Sequence, residues 1–184
     1  MLIDLLPMKY QRKFWRDDLG KFIQEKSCCS GVELGTKNGS SMKAILKRNP
    51  SINLVGMDLW EDMPDSSPYR NNSKNELSAL KKIRKYKNAS LLKGDCLQLA
   101  NQIEDGSLDF IFYDLFDSRW SSVSFVKSVF EAYLPKLKSS GMLIGRDLNK
   151  PDFQEVRKLL DLNEIKQCVI DGKTHLRLEY ITAS

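Results

Sequence analysis

The sequence predicts an α/β fold: a doubly wound, mostly parallel sheet of seven strands, with helices on both faces and an antiparallel C-terminal hairpin. Three observations carry this. Short apolar runs alternate with stretches of helical periodicity five times in succession, the pattern of crossover units that build a parallel sheet. The chain then closes on two β-rich runs separated by Asp171-Gly172, a dipeptide suited to a type I′ turn because both central residues need positive φ. Four of the alternating strands finish on an aspartate and the first carries Glu33 before a glycine turn, although carboxylates are depleted inside strands.

The elements follow in order. Leu5, Met8, Phe14, Trp15, Leu19, Phe22 and Ile23 recur at helical spacing and predict a first helix within residues 1–27. A strand is expected in SGVELG (30–35), then a helix from Ser40 to Asn49-Pro50, where proline cannot continue it. The second strand lies in INLVGMD (52–58), and a polar loop with Pro64 and Pro68 follows. Ser73 and Glu76 form a capping-box pattern that predicts a helix over 74–86. ASLLKGD (89–95) supplies the third strand, a short helix covers 96–104, and LDFIFYD (108–114) is the most apolar strand. A helix over 121–134 ends near Pro135, and KSSGMLIGRD (138–147) turns into the fifth strand. Asn149, Pro151 and Asp152 start a helix to about Leu160, and strands at 165–170 and 174–181 form the hairpin.

The composition bounds the function. A chain of 184 residues with 41% hydrophobic residues fits one domain, 1–184, with a core of its own. No run approaches the roughly 20 apolar residues a membrane helix needs. Asp4 interrupts the first apolar stretch, and the basic residues come after it, which is the wrong order for a secretion signal. The net charge of +5 is spread out, with clusters at Lys9, Arg12, Lys13 and Arg16 and at Lys81, Lys82, Arg84, Lys85 and Lys87; solvated helix faces are the plain reading. The four cysteines, Cys28, Cys29, Cys96 and Cys168, have no metal-finger spacing, so free thiols in a reducing cytoplasm are expected. His175 is the single histidine and sits in an alternating strand, where a surface position is expected.

In a sheet of this kind, ligands collect at the carboxyl ends of the strands. The residues there are Glu33-Leu34-Gly35-Thr36-Lys37-Asn38-Gly39, Asp58, Gly94-Asp95-Cys96, Asp114 and Arg146-Asp147. Gly35 and Gly39 bracket a tight bend, and glycine lets a backbone pass close to a ligand. The bend is neither the GxGxxG dinucleotide fingerprint nor a phosphate loop. Asp58 follows about 20 residues later, where an acid accepts a ribose diol in nucleotide-binding sheets. Together they point to a nucleoside-containing ligand.

These motifs resemble the small class I S-adenosylmethionine-dependent methyltransferases, in particular the compact branch with a DxxxxDGxH-like fourth strand. The resemblance runs from about residue 28 to 181, over a core of 28–184 that follows the N-terminal helix of 1–27. Glu33 to Gly39 matches the first motif, Asp58 the ribose acid, Gly94-Asp95-Cys96 the adenine segment, Asp109 to Asp114 the fourth strand, and Leu134 to Ile144 the turn and fifth strand. Lys37 stands for a common glycine, Leu115 for the glycine after the strand-end aspartate, Asp117 for the family histidine, Ser140-Gly141 for a double glycine and Arg146-Asp147 for a double aspartate.

The resemblance implies a Rossmann-like fold and S-adenosylmethionine as cofactor. Glu33 and the backbone of Gly35, Thr36, Lys37, Asn38 and Gly39 would hold its amino-acid end. Asp58 would take the ribose, Leu59 with Trp60 would wall the adenine, and Asp95 and the Cys96 amide would read its edge. Asp114, Asp117 and Asp147 are the candidate catalytic acids: one serves as a general base, or together they hold a divalent metal, Mg²⁺ or Ca²⁺. A small-molecule acceptor is the leading expectation, with residues 61–76, the first helix and 115–122 shaping its pocket. A second subunit could complete that pocket, with Met8, Phe14 and Trp15 at the contact. A cofactor-binding module without turnover is one alternative. Nucleic-acid modification is the other, motivated by the basic clusters but lacking a base-flipping motif.

Overall fold

The computed structural model describes residues 8–61, 72–115, 123–146, 154–156, 158, 166–168 and 178–182. Five strands run parallel in the order β3-β2-β1-β4-β5: β1 (Ser30–Leu34), β2 (Asn53–Asp58), β3 (Ala89–Lys93), β4 (Leu108–Tyr113) and β5 (Leu137–Arg146). The antiparallel pair β6 (Lys166–Cys168) and β7 (Leu178–Thr182) extends the sheet past β5 to seven strands, with β7 inside and β6 at the edge. The sequence order therefore reverses between β1 and β4, which places a crevice at the carboxyl ends of those two strands.

Strand alternation sends side chains to two separate cores. Val32, Leu34, Ile111 and Tyr113 pack with Leu99, Val126, Val129, Phe130 and Tyr133 on the side of α4 (Cys96–Leu99) and α5 (Val123–Tyr133). Phe110, Phe112, Leu54 and Ile144 face Leu19, Ile23, Met42, Ile45, Leu46 and Ile83 on the side of α1 (Met8–Glu25), α2 (Ser40–Arg48) and α3 (Asn72–Ile83). Each such buried side chain contributes about 1.5–3 kcal/mol, so β4, buried on both faces, anchors the three layers. β1 keeps one polar residue in this setting, Glu33, which is 1% exposed.

Several boundaries differ from the sequence reading, each for a local reason. α3 begins at Asn72 and ends at Ile83, so Ser73 lies inside the helix rather than capping it. Glu76 pairs instead with Lys93 at 2.9 Å, satisfying across to β3 what the capping box would have satisfied locally. Arg84, Lys85 and Lys87 fall past the end of α3. The short helix over 96–104 is one α-turn, Cys96–Leu99, followed by a 3₁₀ turn, Ala100–Gln102. Pro135 sits inside a second 3₁₀ turn, Leu134–Lys136, where its fixed φ is acceptable. Of the helix expected at 149–160, residues 154–156 and 158 are described as helical. The Asp171-Gly172 turn and His175 lie outside the described residues. No helix among the described residues is long and apolar enough to cross a membrane.

Candidate active site

The glycine bend leaves β1 through three left-handed residues: Gly35 at φ +87°, Lys37 at +49° and Gly39 at +69°. A Cβ on Gly35 would stand 2.5 Å from the carbonyl oxygen of Asp114, and one on Gly39 would stand 2.9 Å from the Cα of Ala79 in α3. Neither position tolerates a side chain. Lys37 occupies a conformation glycine would take freely, at a cost of about 1–2 kcal/mol. Its neighbours hold it there: the Lys37 amide donates to Asp58 Oδ2 at 2.7 Å, and the Trp60 indole N–H donates to the Lys37 carbonyl at 2.7 Å.

The bend uses most of its own donors. Gly35 and Thr36 both donate to the Met57 carbonyl, at 2.9 and 3.1 Å, and Gly39 donates to Thr36 at 2.9 Å. With Lys37 bound to Asp58, only the Asn38 amide among residues 35–39 has no partner among the described residues. The bend therefore satisfies most of its amides within the fold. Its main contribution is close approach and shape, with one amide left to donate.

Asp58 is engaged at both oxygens, since Oδ1 accepts from the Trp60 amide at 3.1 Å. A carboxylate oxygen keeps a second lone pair, so a diol can still bind. Trp60 is 2% exposed, whereas Leu59 beside it is 43% exposed. Of the two expected adenine walls, Leu59 is therefore the accessible one, while Trp60 is a strut of the bend.

Glu33 is the most unusual group. One oxygen, Oε2, is buried with no hydrogen-bond partner. Burial first, and then the negative charge of Asp114, push its pKa well above the ordinary carboxylate range. The Ser41 hydroxyl and the Arg16 guanidinium pull the other way, and Asp58 adds to the rise. Arg16 Nε in turn donates to Ser41 Oγ at 3.3 Å, tying α1 to the start of α2. A buried acceptor with no donor costs folding free energy, on the order of 1–3 kcal/mol, which a ligand ammonium would recover. That fits the amino-acid end of S-adenosylmethionine.

Asp114 follows β4, and its amide donates to the Leu34 carbonyl at 2.9 Å, so the chain ends of β1 and β4 stay in register beside Gly35. Asp95 caps α4, its Oδ1 accepting from the Leu97 amide at 2.7 Å. The cap uses this one oxygen. The Cys96 thiol is pushed up to about 11, by burial first and then by Asp95, and the Cys96 carbonyl accepts from the Tyr133 hydroxyl at 2.7 Å. Asp117 and Asp147 lie outside the described residues. No group of three or more His, Cys, Asp or Glu able to hold a metal occurs among the described residues.

The structure thus gathers Glu33, residues 35–39, Asp58 and Asp114 at the carboxyl ends of β1, β2 and β4. It also adds residues the sequence reading passed over. Ser41 and Arg16 act on Glu33. Lys82, read as part of a solvated face, is half-buried and donates to the Asn38 carbonyl at 2.7 Å and to Ser40 Oγ at 2.9 Å. The hydroxyl pair Ser40-Ser41 directly after Gly39 was a signal available in the sequence. Lys82 had none, because its contact is made by tertiary docking of α3.

Comparison with known proteins agrees with this geometry. A family model described as a methyltransferase domain matches residues 32–148. No curated protein matches the chain. Among solved structures, a protein from Staphylococcus aureus assigned as a caffeoyl-CoA O-methyltransferase superposes with a TM-score of 0.64 at 17% identity, covering 92% of this chain and 82% of that one. The O-methyltransferase from Bacillus cereus in complex with SAH gives 0.60 at 16% identity, covering 92% and 80%. The calicheamicin methyltransferase CalS11 gives 0.65 at 16% identity, covering 97% and 80%. At such identities the superpositions speak for the fold, and the family match, spanning more than half of the chain, speaks for membership. The chain belongs to the methyltransferase-domain family and is a class I S-adenosylmethionine-dependent methyltransferase.

Proposed function

We propose that the enzyme transfers the methyl group to a hydroxyl oxygen of a small-molecule acceptor, with the residues around the β1–β4 crevice in the following roles. Bound S-adenosylmethionine supplies an electrophilic methyl group on a sulfonium. Glu33, through its open Oε2 and with Ser41 beside it, takes the α-amino group. Residues 35–39 let the cofactor approach the backbone closely, and the Asn38 amide donates to its polar end. Asp58 accepts the ribose hydroxyls, Leu59 covers one face of adenine, and Asp95 Oδ2 with the Cys96 amide reads the adenine edge.

The chemical step needs an acceptor held in line with the methyl group, and alignment supplies much of the rate. A hydroxyl acceptor must also lose a proton. Asp114 is the acid placed beside the cofactor crevice, and the Glu33 carboxyl feels its charge. We assign Asp114 as the acceptor-side base, with Asp117 and Asp147 as further candidate acids read from the sequence. The observation that carries the assignment is the buried, unpartnered oxygen of Glu33 next to Asp114. The shared fold with the O-methyltransferases of Bacillus cereus and Staphylococcus aureus supports an oxygen acceptor. The free thiols of Cys28, Cys29 and Cys96 support a cytoplasmic setting, and Asp171-Gly172 suits a tight turn between β6 and β7.

The test is calorimetry with S-adenosylhomocysteine, followed by transfer of labelled methyl to a panel of small phenols, sugars and amines, with and without Mg²⁺. Micromolar binding, about −8 kcal/mol, and label found on oxygen would support the proposal. Label found only on nitrogen, or only on polymer, would overturn the acceptor assignment.

A further inference from the structure

The Trp60 indole holds the Lys37 carbonyl at 2.7 Å, and the Lys82 ammonium holds the next carbonyl, that of Asn38, at 2.7 Å. A trans peptide is planar, with its C=O and N–H pointing in opposite directions. Fixing the Lys37 carbonyl therefore fixes the Asn38 N–H on the far side of the same plane. Fixing the Asn38 carbonyl locks the following plane, whose Gly39 N–H donates to Thr36 at 2.9 Å. The two grips thus set both peptide planes flanking Asn38, whose amide is the one donor of the bend without a partner among the described residues.

Both grips come from the tertiary fold. Trp60 follows β2 and is 2% exposed with φ +43°, a conformation that costs a tryptophan free energy. Lys82 comes from α3, which packs so closely on the bend that Ala79, one turn earlier, leaves no room for a side chain on Gly39. Its ammonium lies at the start of α2, where the helix dipole disfavours a cation. Burial, and then Lys43 and Arg16, lower its pKa. A lysine in that place opposes local electrostatics, and its two hydrogen bonds to Asn38 and Ser40 are what it gives in return.

We infer that Trp60 and Lys82 are positioning residues that orient the Asn38 N–H as the bend's donor to the cofactor. The inference rests on the assignment of this crevice to S-adenosylmethionine, and its test keeps the two apart. Amide exchange is followed by NMR in the cofactor-free protein, and S-adenosylhomocysteine binding by calorimetry, for wild type, Lys82→Met, Lys82→Arg, Trp60→Phe and the exposed control Lys81→Met. Lys82→Met should speed exchange at residues 38–40 and weaken binding about tenfold, the loss expected for a charge-assisted hydrogen bond. Lys82→Arg, which keeps charged donors, should recover most of that loss, and Lys81→Met should change neither reading.

Trp60→Phe removes the indole N–H while keeping an aromatic ring, and should weaken binding roughly fivefold, as for a neutral hydrogen bond. In wild type the ligand should slow exchange of the Asn38 amide. If Lys82→Met does not fold, Lys82→Arg and Trp60→Phe carry the test. Wild-type exchange and affinity in Lys82→Met, or in both remaining variants should it not fold, would overturn the inference. A wild-type protein that binds no S-adenosylhomocysteine at millimolar concentration would overturn the cofactor assignment, while the exchange data would still report whether the two grips order the bend.

Discussion

The two ends of the sheet treat their acids in opposite ways. At the amino end of β4, Asp109 has every oxygen in use: Oδ2 accepts from the amides of Cys29 and Ser30 at 2.7 and 2.9 Å, and Oδ1 accepts from Lys138 at 2.7 Å. Burial works against its charge, but Lys138 and the two amides outweigh it and hold its pKa below the ordinary value. At the carboxyl end of β1, Glu33 is more deeply buried and has an oxygen with no partner. Burial and Asp114 raise its pKa. A carboxylate at a strand end is therefore no mark of function in itself. The difference is in what the fold leaves unsatisfied: among these two acids it is Glu33, at the carboxyl end, that keeps an unpartnered oxygen.

This contrast has consequences that can be measured. The largest is at Asp58, which accepts from the Lys37 amide of the bend and which we propose takes the ribose. Asp58→Ala should weaken S-adenosylhomocysteine binding by roughly 1.5–3 kcal/mol, about 10- to 100-fold, in calorimetry. An unchanged dissociation constant would remove the acid from the cofactor site.

Asp109→Asn should do the reverse. It should leave affinity alone and cost stability, about 2 kcal/mol or a Tm lower by roughly 4–8 °C at pH 7. Because the folded pKa is depressed, the stabilisation is present above the unfolded value and is lost as pH falls through the folded one. The difference between wild type and variant should shrink in strong acid, and scanning calorimetry from pH 7 to 3 would show it.

Glu33→Gln sharpens the comparison most directly. A raised folded pKa means the ionised form destabilises the fold, with stability lost as pH rises from the unfolded value through the folded one. The variant should therefore raise the Tm of the cofactor-free protein by about 2–4 °C at pH 8, the response of a domain this size to about 1 kcal/mol. It should gain less at pH 5, and it should weaken S-adenosylhomocysteine binding. A variant that is less stable at pH 8 would show that Glu33 is a structural acid like Asp109.

The smallest effect belongs to Lys37→Gly. Relief of the left-handed φ should add up to about 1 kcal/mol in the folded state, offset in part by the greater freedom of unfolded glycine. Binding should be unchanged within error, since the hydrogen bonds to Asp58 and Trp60 use the Lys37 backbone, which glycine keeps.

Much of this was legible from residues alone. Alternating apolar runs placed β1 to β5, and Gly35 and Gly39 announced the tight left-handed bend after β1, because chain reversal and close approach demand those residue types locally. Lys37 in place of glycine looked like a defect of the motif. The structure shows a braced left-handed lysine, and the braces come from Asp58 and Trp60, which no local pattern connects to it. Ser73-Glu76 looked like a capping box, yet Glu76 turned to Lys93 because the tertiary partner was within reach.

Periodicity and residue type determined the order of the layers and the identity of the strand-end acids, since both depend on neighbours a few residues away. Tertiary structure alone decided which acid is satisfied and which is open, and which amide of the bend stays available. Those outcomes hang on where α1, α3 and Trp60 come to rest against the bend, a matter of packing between distant segments. Hydrogen-bond satisfaction is a property of the assembled neighbourhood, and no stretch of sequence contains it.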